Sequence, residues 1–220
     1  MTASADPLRL FSEKSALYER FIRAVGYPQG LRAYFERWPL LRPGMRALDA
    51  GCGTGVLSLA LHDAALRRGM APPKIQGFDL TPAMLQRFSD TLERRGITDI
   101  ERVQCDVLRL EALPPSWTRY DAVISASMME YLPRRALSAA LRGLRARLAP
   151  NGTLTLFITR RNVFMKPLIA WWWDANLYSA AELRSAFRDA GFAEVAFRHF
   201  PFPHRHLDVW GHIVEARALA

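Results

Sequence analysis

The chain has 220 residues, with 30 Lys+Arg against 21 Asp+Glu and a formal net charge of +9. Half of it is hydrophobic, enough for one full core, so a single domain is expected and long disorder is excluded. The positive balance invites three partners: nucleic acid, a membrane surface or an acidic ligand. All but Lys14, Lys74 and Lys166 of the basic residues are arginine, a bias that a GC-rich genome imposes without any partner. The surplus is nevertheless local. Residues 131–173 contain no acid, while Arg134, Arg135, Arg142, Arg145, Arg147, Arg160, Arg161 and Lys166 fall inside. The helix arginines of this stretch are expected to coat a solvated face. Cys52 and Cys105 form neither a disulfide framework nor a C-x-x-C metal pattern, which fits a reduced cytoplasm. Residues 1–10 have no apolar signal-peptide core. The apolar run 163–173, broken by Lys166 and Pro167, is far shorter than the roughly 20 residues a spanning helix needs.

In chain order, residues 11–38 have a helical pattern broken near Gly26 and Pro28. Strand 46–50 is followed by helix 55–68, and strand 74–80 by a helix with Thr81 as cap and Pro82 in its first turn, ending before Gly96. Strands follow at 101–107 and 120–126, then a helix at 133–148. The Asn151-Gly152 turn leads into strand 153–159. A helix at 179–190 closes at Gly191, and 193–200 with 209–216 form a terminal strand pair. Strands alternating with helices predict an α/β fold: a doubly wound, mostly parallel seven-stranded sheet with helices on both faces. The last two strands, joined without a helix, predict one antiparallel edge strand. Ligands of such sheets bind at the carboxyl ends of the strands, near the switch point.

The first strand ends in Asp49-Ala-Gly51-Cys-Gly53-Thr-Gly55. Glycines allow a sharp turn and close approach of a ligand, and the following helix offers N-terminal amides. Taken alone, the loop is also a tight strand-to-helix turn. The second strand ends in Asp79-Leu80, where a carboxylate can accept from vicinal ribose hydroxyls or simply start a helix. Asp106-Val107 ends the third, where Asp106 can accept from an adenine amino group or lie in a solvated loop.

Together, LDAGCGTG, GFDLTPAML, QCDV, YDAVISASMMEYLP and LRARLAPNGTLTLFI resemble successive segments of the class I S-adenosylmethionine-dependent methyltransferases. LFSEKSALYERFI at 10–22 is similar to the N-terminal helix of the small-molecule branch, which includes quinone-pathway enzymes. The resemblance implies a Rossmann-like fold over one domain, 1–220. Its parts are a helical cap at 1–43, a cofactor-binding core at 44–160, a lid segment at 161–178, and a C-terminal helix and strand pair at 179–220. It further implies that Asp49, Gly51, Gly53 and Gly55 face the methionine part of the cofactor. Asp79 and Leu80 would face the ribose side, Asp106 and Val107 flank the adenine, Ser125 lie beside the sulfonium, and Tyr18 close over the site. No metal is implied.

Methyl transfer needs alignment above all, and a base only when the nucleophile must lose a proton. Relatives carry histidines after the fourth strand; here Glu130 and Tyr131 stand in that place and are the catalytic candidates. Glu130 would act as a base or attract an ammonium group, or else cap the following helix. No Asn/Asp-Pro-Pro-Tyr/Phe segment follows the fourth strand, which disfavours nucleic-acid and protein-glutamine acceptors. Arg160, Arg161, Trp171, Trp172 and Trp173 follow the fifth strand and are the substrate candidates. They suit either a packed lid or a contact with an amphiphile or anionic lipid. His199, His204, His206 and His212 could serve as a metal site or supply a base, but Pro201 and Pro203 place the first three in a loop. The expectation is a cytoplasmic enzyme, peripheral contact with the inner membrane being open, that methylates a small apolar or aromatic metabolite. Rivals are a phospholipid amine N-methyltransferase, an RNA methyltransferase and a catalytically silent cofactor-binding protein.

Overall fold

The structure is a computed structural model, and it describes residue 20, residues 22–161 and residues 175–218. Its elements are α1 (Tyr27–Glu36), β1 (Arg46–Ala50), α2 (Val56–Arg67), β2 (Lys74–Asp79), α3 (Pro82–Arg94), β3 (Glu101–Gln104) and β4 (Tyr120–Ala126). They continue with α4 (Leu137–Arg145), β5 (Leu148–Thr159), α5 (Ala180–Asp189), β6 (Glu194–Arg198) and β7 (Gly211–Arg217).

The seven strands form one sheet in the order β3-β2-β1-β4-β5-β7-β6. β1 to β5 run parallel. β7 runs antiparallel to both β5 and β6, so the reversed strand sits one place in from the edge and β6 forms the edge itself. The order reverses between β1 and β4, which opens a crevice at their carboxyl ends.

Alternation along the strands splits the core into two layers. Ala47, Ile75, Ala122, Ile124 and Phe157 pack beneath α1, α2 and α3. Leu48, Val123, Leu154 and Leu156 pack beneath α4 and α5. A period of two thus gives each strand two apolar faces, as a sheet covered on both sides requires.

Three expected boundaries move. β3 ends at Gln104, so Asp106 and Val107 lie in the loop after it rather than at its end. The turn at Asn151-Gly152 lies inside β5 rather than before it. Asn151 has φ 61°, and the pairing register shifts between Tyr120 and Ala122, so the irregularity is a bulge in a longer strand. The helix expected from Pro133 begins at Leu137, after a 3₁₀ turn at Arg134–Ala136.

Of the helix arginines, Arg134, Arg135 and Arg142 are exposed, as expected of a solvated face, while Arg145 and Arg147 are half-buried. Arg134 donates to the Leu177 carbonyl (2.6 Å), Arg142 to that of Asp189 (3.3 Å), and Arg147 to those of Trp117 (3.1 Å) and Leu110. These bonds pin backbone oxygens at the joins between elements.

Candidate active site

The glycine loop after β1 has left-handed backbone at Gly51, Gly53 and Gly55 (φ 71°, 51° and 85°). At Gly51 a Cβ would lie 2.4 Å from Met128 Cγ, and at Gly55 it would lie 2.1 Å from the Phe88 ring. At Gly53 a Cβ would meet nothing within 4 Å, so the backbone there borders open space. That space is an open cleft at the carboxyl ends of β1, β2, β3 and β4.

Asp79 holds the loop in place. Its Oδ2 accepts from the Gly53 amide (2.9 Å) and its Oδ1 from the Thr81 amide (2.8 Å). Burial raises its pKa, and those two amide bonds oppose the rise. Each carboxylate oxygen has two acceptor sites, so further donors can be accommodated. Asp106 Oδ1 accepts from the Leu108 amide (2.9 Å), which folds the chain back beneath the cleft wall.

The expected site residues fall into three groups. Gly51, Gly53, Asp79, Leu80, Asp106, Val107 and Tyr131 line the cleft. Asp49, Gly55, Ser125 and Glu130 lie behind its wall. Asp49 is fully buried, and its Oδ2 accepts from the Ser58 amide (3.1 Å) and hydroxyl (2.6 Å). Ser58 lies in the first turn of α2, whose cap Gly55 brings no side chain. Asp49 therefore supplies the missing acceptor and a negative charge at the helix N-terminus. Burial pushes its pKa up to about 7 against the two Ser58 bonds, and its Oδ1 has no partner. Ser125, also buried, donates to the Ala50 carbonyl (2.7 Å) and ties β4 to β1. The wall at that point is Ala126, Ser127 and Met128, because Ser127 turns the chain with φ 51°.

Glu130 is 1% exposed and caps no helix. Its Oε1 accepts from the Thr159 hydroxyl (2.8 Å), while Asn176 donates from its amide (2.7 Å) and side chain to the Glu130 carbonyl. Burial pushes the carboxyl up to about 7, and Oε2 has no partner.

In the third group, Arg160 and Arg161 lie away from the cleft lining. Arg161 pairs with Glu182 (3.1 Å) and Arg160 donates to the Asp208 carbonyl (3.5 Å). Tyr18, Trp171, Trp172 and Trp173 lie outside the described residues. His199 pairs with Asp208 (2.9 Å) and His206 lies 2.9 Å from the Val25 carbonyl. Among the described residues no three His, Cys, Asp or Glu side chains are grouped to hold a metal ion.

Other liners escaped the sequence reading. Ile22, Tyr27 and Leu31 come from the N-terminal helical segment, and Met84 from α3. Both cysteines line the cleft, and their positions beside Gly51 and Asp106 were the available clue. Burial raises both thiols. No arginine, lysine or histidine is among the lining residues that the structure describes. Two carboxylates without a cation are the reverse of what a phosphate-bearing nucleotide needs, and they suit a nucleoside that carries a positive charge.

Residues 47–152 match the family model described as a methyltransferase domain. Among curated proteins, the chain is 27% identical to malonyl-[acyl-carrier protein] O-methyltransferase of Anoxybacillus flavithermus, over 56% of this chain and 41% of that protein. It is 32% identical to ubiquinone biosynthesis O-methyltransferase of Psychrobacter arcticus, over 54% of this chain and 42% of that protein. The chain thus spans well under half the length of these relatives. Among solved structures, magnesium protoporphyrin IX methyltransferase from Synechocystis, crystallised with S-adenosylhomocysteine (SAH), superposes with a TM-score of 0.67 at 20% identity. That match covers 96% of this chain and 97% of the other. Residues 47–152 thus match a methyltransferase domain, and the sheet order and glycine loop around them are similar to those of the class I S-adenosylmethionine-dependent methyltransferases.

Proposed function

We propose that the chain transfers a methyl group from S-adenosylmethionine to a small, apolar or aromatic acceptor. The observation that carries this reading is the cleft: a glycine loop, two carboxylates and an apolar wall converge at the switch point, and no described cation lines it. Asp79 would hold the ribose hydroxyls, Asp106 and Val107 would flank the adenine, and the Gly51–Gly55 loop and Leu80 would bound the rest. When bound, the cofactor supplies an electrophilic sulfonium methyl.

This chain's own contribution is then alignment and exclusion of water. Tyr27, Leu31, Met128, Tyr131 and Leu132 form the apolar side of the cleft. Glu130 faces Thr159 behind that wall, so it acts on the acceptor only through the turn it supports. The acceptor is accordingly one whose nucleophile needs no protein base, or one that Tyr131 contacts directly. Relatives named as O-methyltransferases support oxygen as the acceptor atom.

Two measurements test the reading. Calorimetric titration with S-adenosylmethionine should give one site, and Asp79→Ala should weaken it by about tenfold or more, the range for losing hydrogen bonds to a charged group. An unchanged affinity overturns the cofactor assignment. Labelled methyl supplied with a cell extract should enter the small-molecule fraction; label appearing in RNA or phospholipid overturns the acceptor class.

A further inference from the structure

The turn after β4 puts Met128, Tyr131 and Leu132 on the cleft, with Glu130 buried behind them. Its own backbone holds it loosely. A single 3₁₀ turn, Met129–Tyr131, is closed by the Tyr131 amide on the Met128 carbonyl (3.1 Å) and the Leu132 amide on the Met129 carbonyl (3.3 Å). The next amide in that series would come from position 133 and serve the Glu130 carbonyl. Pro133 stands there and has no N–H to give. The Glu130 carbonyl therefore needs a donor from elsewhere.

Asn176 supplies it. Its backbone amide donates to the Glu130 carbonyl (2.7 Å). Its side-chain amide donates to the same oxygen (3.2 Å) and to the Leu132 carbonyl (2.8 Å). Those two carbonyls flank Tyr131 in the chain, so one half-buried residue brackets the tyrosine. The two segments are tied together again nearby. Arg134 donates to the Leu177 carbonyl (2.6 Å), and its guanidinium lies 4.8 Å from the centre of the Tyr178 ring. The Arg161 amide donates to the Tyr178 carbonyl (3.0 Å), which fixes residues 176–178 to the end of β5. β5 in turn reaches the turn through the Thr159 hydroxyl on Glu130 (2.8 Å). An asparagine is short and carries two side-chain N–H donors, whereas an aspartate of the same shape carries none when ionised. Asn176 itself is not among the lining residues.

We infer that Asn176 is a positioning residue for methyl transfer: by bracketing Tyr131 it holds that side chain where it aligns an acceptor with the methyl donor. The acceptor in this statement rests on the proposed function; the bracket rests on the hydrogen bonds alone. In-line transfer tolerates little misplacement, so a residue without a contact of its own on the cleft can govern the rate.

Labelled methyl entering the small-molecule fraction of a cell extract gives the rate, over a dilution series whose half-saturating point stands for the acceptor KM. Asn176→Ala and Asn176→Asp should each lower the maximal rate by about tenfold or more and raise the half-saturating extract concentration. S-adenosylmethionine affinity, read by calorimetry, should stay unchanged and reports intact folding. On a Tyr131→Ala background, Asn176→Ala should cost no more than about twofold further, because the side chain it acts through is gone. Parental kinetics in both single variants, an equal loss on both backgrounds, or a parallel loss of cofactor affinity overturns the inference. Amide exchange in the free protein decides without any acceptor. Asn176→Ala should speed exchange at the Tyr131 and Leu132 amides by about tenfold or more while β4 stays protected. Unchanged exchange there overturns the bracket. A parent that labels nothing small sinks the proposed function instead, and the exchange result still supports or overturns the bracket.

Discussion

Three carboxylates show how differently one chemical group is used. Asp79 opens onto the cleft and is braced by two backbone amides, whereas Asp49 and Glu130 are sealed behind its wall with one oxygen each unpartnered. Burial raises both sealed groups to about 7, well above ordinary carboxylates. The folded state therefore binds protons that the unfolded chain has released once pH passes its ordinary range near 4. Stability from these two groups is complete below that range and is lost as pH rises through about 7. Urea unfolding should accordingly show a midpoint that falls between about pH 4 and pH 7 and levels off above, opposite to the usual acid lability of a surface-paired carboxylate. Glu130→Gln should flatten that fall, raising stability at pH 8 by about 1–3 kcal/mol relative to the parent while changing little at pH 4. A midpoint independent of pH in the parent, or an equal slope in the variant, contradicts the account. The sequence marks all three acids as site candidates because they follow strands. It cannot separate a carboxylate on the wall from one behind it, since that depends on Ser127 turning the chain and on Ser58 reaching back from α2.

Elements were legible wherever one local rule decided them. β1 and β4 have the expected limits because a short apolar run is bounded by a glycine turn or a polar loop. α5 begins where Ser179 and Glu182 make a capping box, a signature that spans four residues. β5 was misread because Pro150-Asn151-Gly152 is a turn sequence in isolation, while the neighbouring strand recruits it into a bulge. The docking of α1 was hidden for another reason: it depends on a partner far along the chain. Glu215 on β7 accepts from the Tyr34 hydroxyl (2.6 Å), the Trp38 indole (2.7 Å) and Arg198 (2.6 Å). Burial and the Glu215 charge raise the Tyr34 hydroxyl, so it remains a donor. Glu215→Ala would leave two largely buried donors without an acceptor. It should cost about 2–5 kcal/mol in urea unfolding, with Glu215→Gln between the two because an amide oxygen replaces part of the network. Because α1 carries Tyr27 and Leu31 on the cleft, a second readout is acceptor KM, which should rise while the affinity for the cofactor changes less. A loss no larger than a surface substitution would show that packing alone, not the shared carboxylate, holds α1.

For the molecule as a whole, the surplus positive charge divides into two populations. Arg134, Arg142 and Arg147 sit between elements and are bound to backbone carbonyls. A second set, Arg109, Arg135 and Arg160, follows strands β3, β4 and β5, yet none lines the cleft itself among the described residues. A net charge therefore says little about a ligand until each cation is placed, and placement depends on carbonyls that only the packed chain brings together. The two populations should separate experimentally. Arg147→Ala removes a fork that serves the Trp117 and Leu110 carbonyls, so it should lower the unfolding free energy by about 1–3 kcal/mol in urea. Exposed Arg135→Ala should change it by less than about 0.5 kcal/mol. Neither should alter S-adenosylmethionine affinity, because neither cation reaches the cleft. If Arg147→Ala instead left stability intact and weakened the cofactor, the cation would be acting through the cleft and the structural assignment of this population would fall.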